Sequence, residues 1–373
     1  MSALARTDTS IVGRWWWTVD RWSLAALLFL VAIGAILTLT ASPPVAERIG
    51  LGDFHFVKRQ FLFLPLAVAL ILAISLLDPR SIRRFAAVGF VISLSLAALC
   101  LVAGPEIKGA QRWLNFGGIS IQPSEFVKPT FAVLAAWMFS EGRLKRDFPG
   151  RLICFALFGL TCTVMLLQPD VGMTTVIAAV WMAQFFLAGL PMIWVIALVA
   201  LAVTGAFAAY SFIDHVQSRV DRFLNPESGD TFQIATALDG FRNGGLLGRG
   251  PGEGLYKLRL PDAHADFVFA VAGEEFGAIA CILIVALFAF IVLRGFARVL
   301  REQNLFILLA SAGLLTQFGL QALVNMASSL HLMPTKGMTL PFISYGGSSV
   351  LALAIGMGMV LGLTRRRVNG EEL

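Results

Sequence analysis

The chain has 373 residues, 57% of them hydrophobic and 14% charged, with a formal net charge of +6. Soluble domains carry nearer a quarter charged residues, so this composition excludes a chain that covers itself with polar surface in water. The positive charge does not argue for nucleic acid either, because Lys and Arg fall mostly in short segments between long apolar runs.

Residues 1–21 read as a polar N-terminal segment, and Trp15, Trp16, Trp17 and Trp22 as an aromatic belt at a membrane interface. No A-x-A-like cleavage site closes the first apolar run, so that run is expected to remain as a span. Spans are expected at 22–42, 61–77, 85–104, 123–140, 152–168, 174–190, 192–213, 266–293, 305–327 and 343–364. Each is long enough to cross roughly 30 Å of hydrocarbon. The expected fold class is therefore an all-α polytopic membrane protein of about ten transmembrane helices, a single membrane domain over 22–364 with a short tail, 365–373.

Counted on that topology, one side holds 16 Lys and Arg and the other 12, of which six lie in a single long loop, 214–265. Short loops obey the positive-inside rule, which puts both termini in the cytoplasm and the long loop, between helices 7 and 8, outside. Its Phe223, Phe232, Ile234, Leu238 and Phe241 predict a partly helical segment folded onto the membrane surface. Its Gly-rich string, 248–254, lacks the Gly-Lys-Ser/Thr of a phosphate loop and reads as a turn. Cys100, Cys154, Cys162 and Cys281 lie within apolar runs and read as packing residues.

Titratable residues gather toward the outer ends of the spans. Glu125 and Lys128 are three apart at the start of the fourth span and share a helix face, either as a structural ion pair or facing a polar cavity. Asp266 opens the eighth span, where a carboxylate is either a plain N-cap or a functional group. Glu274 and Glu275 lie about 12 Å deeper on the same helix, and one is expected to pair inside the bundle. Gln317, Gln321 and Asn325 recur every four residues as a polar stripe that either bridges helices or lines a cavity. With Arg112, Asp170 and Lys336 near the same depth, this mixture of carboxylates and cations suits a lipid-linked anionic substrate, and equally an ion-coupled transporter.

Several strings carry a resemblance. Lys108-Gly109-Ala110-Gln111-Arg112-Trp113, Gln122-Pro123-Ser124-Glu125-Phe126-Val127-Lys128, Gln168-Pro169-Asp170-Val171-Gly172, His264-Ala265-Asp266-Phe267, Pro334-Thr335-Lys336-Gly337 and Pro341-Phe342-Ile343-Ser344-Tyr345-Gly346-Gly347 occur in the order found in the SEDS family (shape, elongation, division and sporulation). The chain resembles that family from about residue 20 to 367, and Lys336 brings it closer to the division-type branch than to the elongation-type one. Ala265 stands where the family often has Thr, and Thr236 where it often has Gln. The resemblance implies a peptidoglycan glycosyltransferase that polymerises lipid II and releases undecaprenyl pyrophosphate. The alternative is a lipid II flippase. It implies Asp266 as the catalytic carboxylate, and Arg112, Trp113, Gln122, Ser124, Glu125, Lys128, Asp170, Lys336 and Ser344 as substrate-binding residues. It also implies a divalent cation, magnesium or manganese, with no organic cofactor. The implied partners are a class B penicillin-binding transpeptidase, other divisome proteins and membrane lipid, and the implied location is the septal inner membrane.

Overall fold

The computed structural model describes residues 10–366 apart from 108, 118, 146, 190–191, 213, 225–231 and 335–336. In chain order the helices are α1 (Ile11–Thr18), α2 (Arg21–Ala41), α3 (Pro43–Arg48), α4 (His55–Ser75), α5 (Pro79–Ala103), α6 (Pro123–Leu144), α7 (Gly150–Leu167), α8 (Val171–Leu187), α9 (Met192–Phe212), α10 (Asp214–Leu224), α11 (Phe232–Gly244), α12 (Val268–Val299), α13 (Leu305–Ser329) and α14 (Gly347–Leu363). Ten of these, α2, α4 to α9 and α12 to α14, correspond to the ten expected spans among the described residues, and the protein is a multi-pass membrane protein. The only sheet among the described residues is a hairpin, β1 (Leu114–Phe116) with β2 (Ile119–Ile121), paired Leu114 to Ile121 between α5 and α6.

Burial sorts the helices by composition. α6 is buried nearly all round through its first four turns, and α13 and α14 are likewise enclosed, so these three form the centre. α6 contains Glu125, Lys128 and Pro129, which an isolated helix in lipid would tolerate poorly and an interior helix can pair. The outer helices turn large apolar side chains such as Val88, Leu160, Phe207 and Ile282 outward, as lipid requires. At the end that carries the N-terminus, Asp20 caps α2, accepts from Arg294 at 2.8 and 3.0 Å and forms an ion pair with Arg298 at 3.1 Å, tying α2 to α12. α1 lies before α2, with Trp15 Nε1 donating to Ser75 Oγ at 2.8 Å; Trp15 is thus a packed residue, while Trp22 is exposed.

Two boundaries differ from the sequence expectation in ways that matter. α4 starts at His55, not 61, because its buried stripe (Val57, Gln60, Leu64, Ala67, Ile71, Ile74) keeps helical spacing past the apolar run into a polar turn. α12 starts at Val268 with Phe267 at the N-cap and no side-chain cap, so Asp266 sits on the preceding turn and is not the cap.

α12 is also broken. Gly277 has φ 79° and ψ 179°, and the chain just after α11 enters the break. Arg249 N and Gly250 N donate to Glu274 O and Glu275 O at 3.0 Å, while Ala278 N and Ile279 N donate to Gly245 O and Leu246 O at 2.9 and 3.3 Å. Broken backbone at membrane depth survives only where protein restores its hydrogen bonds, and this loop does so. A Cβ on Gly244 would lie 2.0 Å from Gly273 O, so the approach requires glycine. Glu274 accepts from Leu255 N at 2.6 Å, Tyr256 N at 3.0 Å and Lys257 N at 3.3 Å, and Glu275 pairs with Lys257. Glu275 is thus ion-paired and Glu274 hydrogen-bonded to backbone amides, both with the long loop rather than with another span. That loop does not merely rest on the surface: its 244–260 portion is built into the bundle.

Candidate functional site

The ends of α4, α6, α8 and α14, the segment after α5 and the turn before α12 surround a cavity of about 580 Å³. Six of the ten expected site residues line it: Asp266, Arg112, Trp113, Gln122, Glu125 and Asp170. Three others lie behind the wall. Lys128 Nζ is 2.8 Å from Glu125 Oε2 and donates to Gln321 Oε1 at 2.9 Å, so it holds the wall residue Glu125 rather than facing the cavity. Ser344 is fully buried; its hydroxyl donates to Ala265 O at 2.5 Å and accepts from Leu340 N at 2.8 Å, which commits it to the backbone and not to a ligand. Ser124 is 1% exposed, inside α6. Lys336 lies outside the described residues.

Local rules account for the placements. Asp170 is the N-cap of α8, accepting from Met173 N at 3.2 Å, with its other oxygen 3.6 Å from Arg112. Arg112 also donates to Gln168 O at 3.0 Å and Pro169 O at 2.6 Å, so the guanidinium ties its loop to the α7–α8 turn while about a third of its side chain stays exposed. The polar stripe of α13 bridges: Gln321 Nε2 reaches Thr339 O, Thr339 Oγ1 and Ser349 Oγ, each at 3.2 Å. Thr236 bonds its own helix at Phe232 O, 2.5 Å away, and does not reach the cavity.

Arg59, Asp262, His264 and Tyr345 also line the cavity and were not singled out by the sequence reading. Arg59 lies in the first turns of α4, in the polar stretch that precedes the apolar run. Asp262 lies four residues before Asp266, one turn away along the chain. His264 stacks on Phe56 with ring centroids 4.5 Å apart, and burial pushes its imidazole down to about 4. An unfolded His protonates near 6.5, so between these values the unfolded chain binds more protons. His264 is therefore expected to contribute its full stability above about pH 6.5 and to lose it as the pH falls toward 4. Thermal unfolding at pH 7 and pH 5 checks this, and His264→Phe should flatten the difference.

A cation on the site would meet carboxylates already engaged, Glu125 with Lys128 and Asp170 with Arg112. Among the described residues no group of three or more His, Cys, Asp or Glu could hold a metal ion. The described residues therefore do not form a protein cage for a divalent ion.

A family model described as cell cycle protein, FtsW/RodA/SpoVE, matches residues 21–369. A Caulobacter vibrioides protein named probable peptidoglycan glycosyltransferase FtsW is 45% identical over 366 residues, covering 98% of this chain and 94% of that one. An Escherichia coli O6:H1 protein of the same name is 32% identical, covering 92% and 85%. Among solved structures, a chain of a peptidoglycan synthase complex superposes with a TM-score of 0.77 at 28% identity, covering 93% of this chain and 97% of that one. The Thermus thermophilus rod shape determining protein RodA superposes with a TM-score of 0.67 at 28% identity, covering 94% and 97%. The family model over residues 21–369, together with a relative 45% identical across nearly the whole chain, places this chain in the FtsW/RodA/SpoVE family of cell cycle proteins.

Proposed function

We propose that the protein is a peptidoglycan glycosyltransferase that polymerises lipid II into β-1,4 glycan at the outer face of the cytoplasmic membrane, for septal wall synthesis during division. One observation carries the reading: a carboxylate, Asp266, stands on an uncapping turn in the wall of a cavity that also holds the Arg59 and Arg112 guanidiniums. Base and cations in one chamber are what the transfer needs. The acceptor sugar's 4-hydroxyl gives its proton to Asp266 as its oxygen bonds the donor's anomeric carbon. The bond from that carbon to pyrophosphate breaks on the opposite face, so an α-linked donor yields a β product. The departing charge is balanced by the positive field of Arg59 and Arg112, two cationic residues of the same cavity wall that other protein groups already hold in place.

The flippase reading has less support. Phe131 on α6, Phe318 on α13 and Phe342 before α14, each no more than 1% exposed, fill the interior of the bundle, where a translocation path would need polar lining. The outward placement of the cavity rests on the positive-inside count, so a reporter fused after residue 240 should be active only outside and one after 148 only inside. A transpeptidase partner is proposed because the solved relative belongs to a synthase complex that coordinates polymerization and crosslinking. Labelled lipid II given to the purified protein, with and without that partner, should appear as glycan chains. Label crossing a vesicle membrane without polymer would favour the flippase.

A further inference from the structure

The turn that carries Asp266 is held by its carbonyls. Tyr345 N donates to His264 O at 2.9 Å, Ser344 Oγ to Ala265 O at 2.5 Å, and Asn325 Nδ2 to Asp266 O at 3.0 Å. Three successive carbonyls are thus each gripped by a different donor, two from the segment before α14 and one from the middle of the bundle. Asn325 differs from the others in joining two walls of the cavity: the same amide nitrogen donates to Met338 O at 2.6 Å. Met338 and Gly337 line the cavity, and a Cβ built on Gly337 would stand 3.5 Å from Asp266 Oδ2. Asn325 is itself 2% exposed and does not line the cavity.

We propose that Asn325 is a positioning residue for the transfer, setting the separation between the Asp266 carboxylate and the Gly337–Met338 wall by bonding the backbone of both. This rests on Asp266 being the general base. The carboxylate cannot be fixed by helix capping, because Phe267 is the N-cap of α12. Its location depends in part on the turn's backbone, and that backbone is held at residue 266 by an amide from a helix distant in sequence. Ser329 Oγ, at 3.5 Å from the same carbonyl, is a weaker second contact, and it also donates to Asn325 O at 3.0 Å. Only a side chain with two donor hydrogens on one nitrogen can serve both carbonyls, which Asn does and Asp or Ser does not.

The test is a double-mutant cycle on lipid II polymerisation by the purified full chain with its transpeptidase partner. Asn325→Asp keeps the shape and removes the donor; Asn325→Ser, smaller and neutral, serves if the Asp variant does not yield folded protein. Either is expected to lower kcat by about tenfold or more with KM for lipid II little changed, the signature of a displaced reacting group. In an Asp266→Asn background the same change should lower the residual rate by less than about twofold, because residues acting as a unit are not additive. An equal fall in both backgrounds, or a rise in KM with kcat retained, would overturn the proposal. Asp266→Asn at the wild-type rate would instead remove the base assignment on which it rests, and that arm is read separately.

Discussion

Lys257→Met is expected to destabilise the folded protein by roughly 3–5 kcal/mol, the usual cost of leaving one charge of a buried pair without its partner. The pair's side chains are 5% and 0% exposed, and Lys257 Nζ also donates to Gly252 O at 2.9 Å. The lysine belongs to the long loop and Glu275 to α12, two residues before the break at Gly277. The change would strand a carboxylate where the helix's own hydrogen bonds are already interrupted. Replacing both members, Lys257→Met with Glu275→Gln, should restore most of the loss, because the pair's mutual attraction largely offsets its desolvation. Thermal unfolding of the purified variants in one detergent measures both. An unchanged midpoint for Lys257→Met would mean that the loop is not anchored through this pair.

The fold was largely legible because lipid imposes a simple rule. A span must be a helix of about 20 residues, and apolar runs of that length mark it directly. What stayed hidden lies where hydrophobicity stops carrying information. The hairpin between α5 and α6 has only three residues in each strand, too few for a periodic signal. The break at Gly277 falls inside a run that reads as one continuous span, and the loop that repairs it comes from residues 244–250. No local pattern announces a partner about thirty residues away.

At the site, residue types were easier to read than their directions. Glu125 and Lys128 share a helix face as their spacing requires, yet one lines the cavity and the other turns to Gln321 on α13. Ser344 reaches the Asp266 turn through Ala265 O, and its hydroxyl is used up on two backbone groups. The stripe of Gln321 and Asn325 bridges elements, reaching Thr339, Ser349 and the Asp266 turn rather than lining the cavity. A sequence states which groups an element carries. Which of them meets solvent depends on neighbours that only the packed bundle supplies.

Asp266→Asn is the measurement on which the account depends most directly. The substitution keeps the side chain's size and leaves the backbone carbonyl that Asn325 holds. It removes no helix cap, since Phe267 occupies that position, so the charge is separated from the structure. Membrane insertion, thermal stability and association with the transpeptidase are expected to stay near those of the parent chain. Lipid II binding should change little, because the carboxylate takes a proton and does not hold pyrophosphate. Glycan synthesis from labelled lipid II should fall by at least about a hundredfold, the lower bound typical of losing a general base. Polymerisation by Asp266→Asn at the rate of the parent chain would contradict the assignment of Asp266 as the base.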